Sequence, residues 1–383
     1  MLRRETRDDL ALRGFTRRQM LRVAALASAG AALPWGSERA LAQLSSVGAI
    51  PDDAVRINAN EFPEGPSERA LAALGDAARR GNRYGYAETE ALVATAAKLE
   101  NLAPEHFSVY AGSSLPLHHA VIAFTSPKLA LVVAEPGYEA AAQAAAWIGA
   151  PVARVPLRAD GAHDLPAMLA AAKTTPVGLF YVCNPNNPTG TVTPRAEIEA
   201  LIAAKPKDAV VLLDEAYIHF SDEPTGVDLV RAGKDVVLLR TFSKIFGMAG
   251  LRAGFALARK DLLARVTGWS TGAMPVTSMV AARTMLDEPD VIAARKRGNA
   301  ERRSDLMHFF DAHGFRYTAS VANHLMVDAR LPTRQVIDAL RADKVYVGRP
   351  WPVWPTHVRV TVGAKPEMER FKSAFLEATT AKG

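Results

Sequence analysis

The run Val177-Gly178-Leu179-Phe180-Tyr181-Val182-Cys183, followed at once by Asn184-Pro185-Asn186-Asn187-Pro188-Thr189-Gly190, decides how this chain is read. Seven residues with almost no polar alternation describe a strand covered on both faces, as in a parallel sheet between helix layers. The string behind it carries two prolines and three asparagines. Proline fixes φ and asparagine closes turns, so such a segment aims a side chain reproducibly. Asn187 is the candidate for that side chain.

Outward from this segment, short apolar runs alternate with amphipathic or Ala-rich stretches. Strands are predicted at Phe107 to Tyr110, Ala130 to Ala134, Val152 to Pro156, Val177 to Cys183, Val210 to Leu213, Val236 to Arg240 and Gly254 to Ala258, with helices at Glu139 to Ile148, Leu165 to Ala172 and Arg195 to Ala204. That alternation is the mark of an α/β domain with a mainly parallel, seven-stranded sheet. After Thr267 a long charged helix over Val291 to His313 precedes strand-like pieces at His324 to Val327, Val345 to Val347 and Val358 to Val362, which reads as a smaller α+β domain. The expected division is a leader over 1–42, an arm over 43–70 belonging to the small domain, the large domain over 71–268 and the small domain over 269–383.

Composition excludes several classes of function. The 383 residues carry a formal charge of +6, but residues 1–42 hold eight Lys+Arg against four Asp+Glu, leaving 38 against 36 for the rest. No basic stripe with interleaved aromatics is present, so nucleic acid is not an expected partner. The single cysteine, Cys183, rules out an internal disulfide framework and any multi-cysteine zinc site, and no metal is expected. No Gly-x-Gly-x-x-Gly opens a helix after a strand, which disfavours a nicotinamide dehydrogenase.

Several polar residues fall just past predicted strands. Lys244 lies in Arg240-Thr241-Phe242-Ser243-Lys244, where partial burial and neighbouring cations would lower its pKa and let it condense with an aldehyde cofactor. Thr241 and Ser243 offer hydroxyls, and Arg252, across a Gly-rich turn, offers a planar fork for phosphate. Asp214 ends the apolar run Val210 to Leu213; it is read either as a cap of the following helix or as the partner of a protonated pyridine nitrogen. Tyr217, three residues on, could bond a ring oxygen. Gly112-Ser113-Ser114 opens a helix whose free N–H groups could seat a phosphate. With Tyr138 and Asn187, these groups follow five different strands, and ligands of open α/β sheets bind along that edge.

Taken together, these strings resemble fold-type I pyridoxal-phosphate (PLP) enzymes of the class I/II aminotransferases. Asn58-Ala59-Asn60-Glu61-Phe62-Pro63, with Gly65-Pro66-Ser67, resembles the start of histidinol-phosphate aminotransferases. The resemblance runs from about Arg56 to the end. It implies that Lys244 binds PLP covalently, that Asp214 pairs with the ring nitrogen, and that Asn187 and Tyr217 bond the ring oxygen. It implies further that Ser113, Ser114, Ser243 and Arg252, beside Gly112 and Thr241, hold the phosphate, and that Tyr138 stacks on the ring. Arg359 would clamp a substrate acid group with Asn60 nearby, and Tyr84 would reach the neighbouring subunit's phosphate site in a homodimer. The implied activity is transfer of an amino group between a histidinol-phosphate-like or aromatic amino donor and a 2-oxo acid. Decarboxylation or elimination on the same fold, and an exported non-catalytic binding protein, are the alternatives. Two departures touch the substrate: after the phosphate-loop glycine, where the family has an acidic pair, this chain has Ser113-Ser114-Leu115-Pro116, and Gly85 follows Tyr84 in place of proline.

The N-terminus, Thr16-Arg17-Arg18-Gln19-Met20-Leu21-Arg22, a weakly apolar run from Val23 to Leu33, then Ala40-Leu41-Ala42, resembles a twin-arginine export signal. It implies cleavage after Ala42 and a periplasmic enzyme, with the cytoplasm as the alternative, and no lasting membrane insertion.

Overall fold

All seven apolar runs of the large domain pair with one another in the computed structural model, which describes residues 3–29, 32–43, 49–269 and 273–380. In chain order the strands are β1 (Val55–Ile57), β2 (Phe107–Tyr110), β3 (Ala130–Glu135), β4 (Val152–Pro156), β5 (Val177–Cys183), β6 (Val210–Asp214), β7 (Val236–Thr241), β8 (Gly254–Ala258), β9 (His324–Asp328), β10 (Val345–Val347) and β11 (His357–Thr361). The large sheet runs β2-β8-β7-β6-β5-β3-β4, and β8 alone is antiparallel to its neighbours. The C-terminal ends of β2 to β7 therefore share one edge. Strands β5, β6 and β7 are buried along their whole length, which is why they read as unbroken apolar runs. Three strands of the large sheet, β3, β6 and β7, extend one residue further than the apolar pattern predicted, to Glu135, Asp214 and Thr241. Asp214 pairs in register with Cys183 and Thr241 with Gly254, because the neighbouring strands still offer backbone partners there.

The small domain holds two separate two-stranded sheets. β9 and β11 are antiparallel, while β1, from the N-terminal arm, lies parallel to β10. Val55 and Ile57 join Phe310, Phe371 and Phe375 in a second apolar core. The helix Val276–Leu286 packs on the helix Glu68–Ala78 and sends Met279, Ala281 and Met285 into the first core. The turn after β5 meets the small domain directly: Thr318 Oγ1 donates to the Thr189 carbonyl (2.6 Å), and Val321 N to that of Gly190 (2.9 Å). Gly190 has φ +70°, and a side chain there would collide with Ser320 and the His324 carbonyl.

The N-terminal segment is folded onto the large domain. Its helices Arg4–Leu12 and Arg17–Ala29 bury Leu10, Val23 and Leu26, with Phe15 between them, in the first core. Each such aliphatic side chain contributes about 1.5–3 kcal/mol when taken out of water. Of the run Val23 to Leu33, read as the apolar region of an export signal, the part in the helix Arg17–Ala29 thus packs on the helices Ser114–Phe124 and Ala140–Ile148, while Gly30 and Ala31 lie outside the described residues. Arg13 donates to the Thr125 carbonyl (2.7 Å), Arg22 lies over the Trp147 ring, and Trp35 meets His118 edge-on. Arg17 and Arg18 remain exposed. No helix among the described residues is long and apolar enough to cross a membrane.

Candidate active site

The shared strand edge opens into a cavity of about 570 Å³ lined by Ser113, Ser114, Tyr138, Asn187, Asp214, Tyr217, Thr241, Ser243, Lys244 and Arg252. Ten residues named from the sequence, from six separate segments, thus surround one space of the size that holds a small molecule.

At one end stands a cradle for an anion. Arg252 donates from Nη1 to Ser243 Oγ (3.0 Å) and to the Ala249 carbonyl (3.0 Å), while Thr241 Oγ1 and Ser243 Oγ are 2.9 Å apart. Gly112 has φ +86°, and a Cβ there would overlap the Arg252 guanidinium. Arg252 itself, like Asn60 on the far side, has a positive φ (58° and 53°), a left-handed conformation that non-glycine residues keep mainly where the surroundings impose it. The helix Ser114–Phe124 starts here, so its unpaired N–H groups face the same place.

In the middle lie Asp214 and Lys244. Asp214 is buried; its Oδ2 accepts from Tyr181 OH (2.9 Å) and its Oδ1 from Ala216 N (3.1 Å). Burial pushes its carboxyl up to about 6, against the pull of those hydrogen bonds and of Lys244. A cationic ring N–H would supply the counter-charge. Burial pushes the Lys244 ammonium down to about 8; Glu38 opposes that shift, and Arg359 and Arg252 add to it. Its Nζ has a long contact to the Ala59 carbonyl (3.4 Å) and stands 5.3 Å from the Tyr217 ring centre. Tyr217 OH accepts from Asn60 Nδ2 (3.0 Å), and Asn60 is held by Thr361 at the end of β11. A phosphate cradle, an ionisable acid and a depressed lysine in one cavity fit a phosphorylated pyridine aldehyde.

Behind Glu38 and Asn187, which line the cavity, stand two fully buried arginines that do not themselves line it. Arg359, on β11, donates to Asn187 Oδ1 (2.8 Å), to the Asn58 carbonyl (2.6 Å) and to Glu38 Oε1 (2.7 Å). Arg349, just after β10, bonds Glu38 Oε1 (3.0 Å) and Glu139 Oε1 (3.1 Å), and Trp351 lies against both guanidinium groups. Asn187 Nδ2 donates to Glu38 Oε2 (3.1 Å). Burial opposes ionisation of Glu38, but Arg359, Arg349 and Lys244 outweigh it and hold its carboxyl well below the usual carboxylate range.

Four residues at this site were not found from sequence. Tyr181 hid inside an apolar run, although its spacing from Cys183 puts both on one face of β5. Arg349 and Glu139 sit in strings with no chemical signature. Glu38 lies in the stretch read as a leader. Tyr84, in contrast, does not reach the cavity within this chain: it is 82% exposed and lines a second hollow with Tyr86 and Met279.

Residues 52–375 match the family model described as aminotransferase class I and II. The chain is 36% identical to the histidinol-phosphate aminotransferase of Symbiobacterium thermophilum over 338 residues, covering 86% of this chain and 92% of that one. To the aromatic amino acid aminotransferase of Rhodococcus jostii it is 34% identical over 334 residues, covering 86% and 91%. The crystal structure of histidinol-phosphate aminotransferase from Sinorhizobium meliloti, in complex with pyridoxal-5'-phosphate, superposes with a TM-score of 0.80 at 23% identity, covering 89% and 97%.

Proposed function

The chain belongs to the class I and II aminotransferases, PLP-dependent enzymes, and on that premise we propose that it moves an amino group between a histidinol-phosphate-like or aromatic amino donor and a 2-oxo acid. The observation that carries this reading is the pair of buried arginines that hydrogen-bond Asn187 and Glu38, two residues lining the same cavity as Lys244 and Asp214. A substrate pinned there by a carboxylate or phosphate presents its amino-bearing carbon toward the lysine.

PLP, when bound, supplies an acceptor for the electron pair released at the substrate carbon. Lys244 is placed to hold it covalently and, once displaced by the incoming amine, to carry a proton at that carbon, a task suited to an amine whose pKa lies near neutrality. Asp214 would keep the ring nitrogen protonated. Ser113, Ser114, Ser243 and Arg252 would hold the phosphate, Tyr138 would stack on the ring, and Asn187 and Tyr217 would bond its oxygen. The test is a panel of amino donors, including histidinol phosphate and phenylalanine, added to the yellow protein. Conversion of the visible band by one of these donors supports the reading, and inertness toward the whole panel, of the full chain and of a chain beginning at Gln43 alike, overturns it.

Two features of the assembled protein belong to the same proposal. The exposure of Tyr84 supports a homodimer in which it completes the partner's phosphate site. Mixing Lys244→Ala with Tyr84→Phe subunits, each severely impaired alone, should restore one working site per hybrid, measured as recovered turnover; no recovery would place Tyr84 outside the site. The exposed Arg17-Arg18 pair and Ala40-Leu41-Ala42 support export of the folded enzyme to the periplasm with cleavage after Ala42. Arg17→Lys with Arg18→Lys should trap an uncleaved form in the cytoplasm, whereas a wild type that stays cytoplasmic with Met1 intact would remove the export reading. That outcome leaves the catalytic assignments untouched.

A further inference from the structure

We propose that the segment around Glu38 is an internal plug: its carboxylate occupies the seat of the substrate's acid group, so the chain stays latent until the segment is drawn off. This rests on the aminotransferase reading, which makes Arg359 that seat.

The argument starts from Arg359. Its side chain is fully buried, and a buried guanidinium without an anion is very costly. Among the described residues the one carboxylate it pairs with is Glu38, whereas Arg349 has Glu139 as well. Arg359 is therefore built for an anion that the rest of the domain does not supply. Glu38 meets that demand as a ligand would: one oxygen takes N–H groups from both arginines and the other takes the amide of Asn187. Asn187 and Glu38 both line the cavity that holds Lys244 and Asp214, as do Ser37 and Arg39 on either side of the carboxylate. A substrate acid and this glutamate cannot share the position.

The segment is also anchored. The apolar helix Arg17–Ala29 holds it against the large domain, so its carboxylate competes as a tethered ligand at high local concentration. Ser37 caps the short helix Glu38–Ala42 by accepting from Ala40 N (3.2 Å) and so fixes the glutamate at the start of that helix. Leu41 and Ala42 are buried in this arrangement, so a peptidase acting after Ala42 must wait for the segment to lift. Departure and cleavage are then one event, and both open the seat.

The experiment uses the full-length, PLP-loaded chain as parent, Glu38→Ala and Glu38→Gln. Each is titrated calorimetrically with 3-phenylpropionate and with phenyl phosphate, acids that carry no amino group. Both variants should bind at least one acid roughly tenfold or more tightly than the parent, the gain expected when a tethered competitor is removed. Because competition is reciprocal, that acid should also speed tryptic cleavage after the exposed Arg39 in the parent. Equal affinity in all three proteins overturns the plug, whatever the cleavage rates. Should the variants fail to fold, the parent decides: cleavage indifferent to both acids overturns it. A parent that converts amino donors yet shows equal affinities loses only the plug, whereas no acid binding and no donor conversion in any form removes the aminotransferase reading too.

Discussion

Lys244→Ala will be a folded protein with no borohydride-reducible link to PLP, and its turnover will fall by at least about 10⁴-fold. Two losses add here: the covalent hold on the cofactor, and the base, since a positioned proton-transfer group contributes about 10²–10⁴-fold by itself. The fold should survive, because Lys244 is buried and its ammonium is disfavoured by that burial, so its removal takes away an unfavourable charge along with a side chain. Comparing melting temperatures of the cofactor-free parent and the variant separates the chemistry from stability. A variant that still gives a reduced adduct would place the covalent site elsewhere.

Asp214→Asn should keep PLP and lose about 10²–10³-fold in turnover, the scale seen when one preorganised electrostatic partner is removed. Asparagine preserves the volume and still accepts a hydrogen bond from Tyr181, whereas alanine would orphan that buried hydroxyl and mix a structural cost with the catalytic one. What the amide cannot do is hold a pyridine nitrogen in its protonated form. A retained visible band with depressed turnover is the expected pair of results, and near-normal turnover would show that Asp214 is not the ring's partner.

Much of this was legible before any coordinates. Strands buried on both faces read as unbroken apolar runs, so β5, β6 and β7 could be placed from composition, and the polar residues ending them fell on the ligand-binding edge. Asn187 was legible because two prolines leave its turn little freedom. Arg349 was not, because an arginine after a three-residue strand reads as an edge charge until Trp351 and Glu139 are seen around it. Tyr181 passed for a core aromatic. Glu38 was hidden for another reason: its segment was read as an address, and an address has no expected place inside a cavity. Arg17 and Arg18 face solvent, whereas Glu38 faces inward.

The turn Asn184–Gly190 does more than point one amide. Its far end is pinned to the small domain through Thr318 and Val321, His324 on β9 meets the Asn186 carbonyl (3.2 Å), and β9 is hydrogen-bonded to β11, which carries Arg359. With Gly190 wedged against Ser320, there is no slack in this joint. A continuous run of hydrogen bonds therefore joins the strand that carries Arg359 to the turn that carries Asn187. A disturbance at this joint would reach the Arg359 guanidinium and the Asn187 amide together, since the two also hydrogen-bond one another.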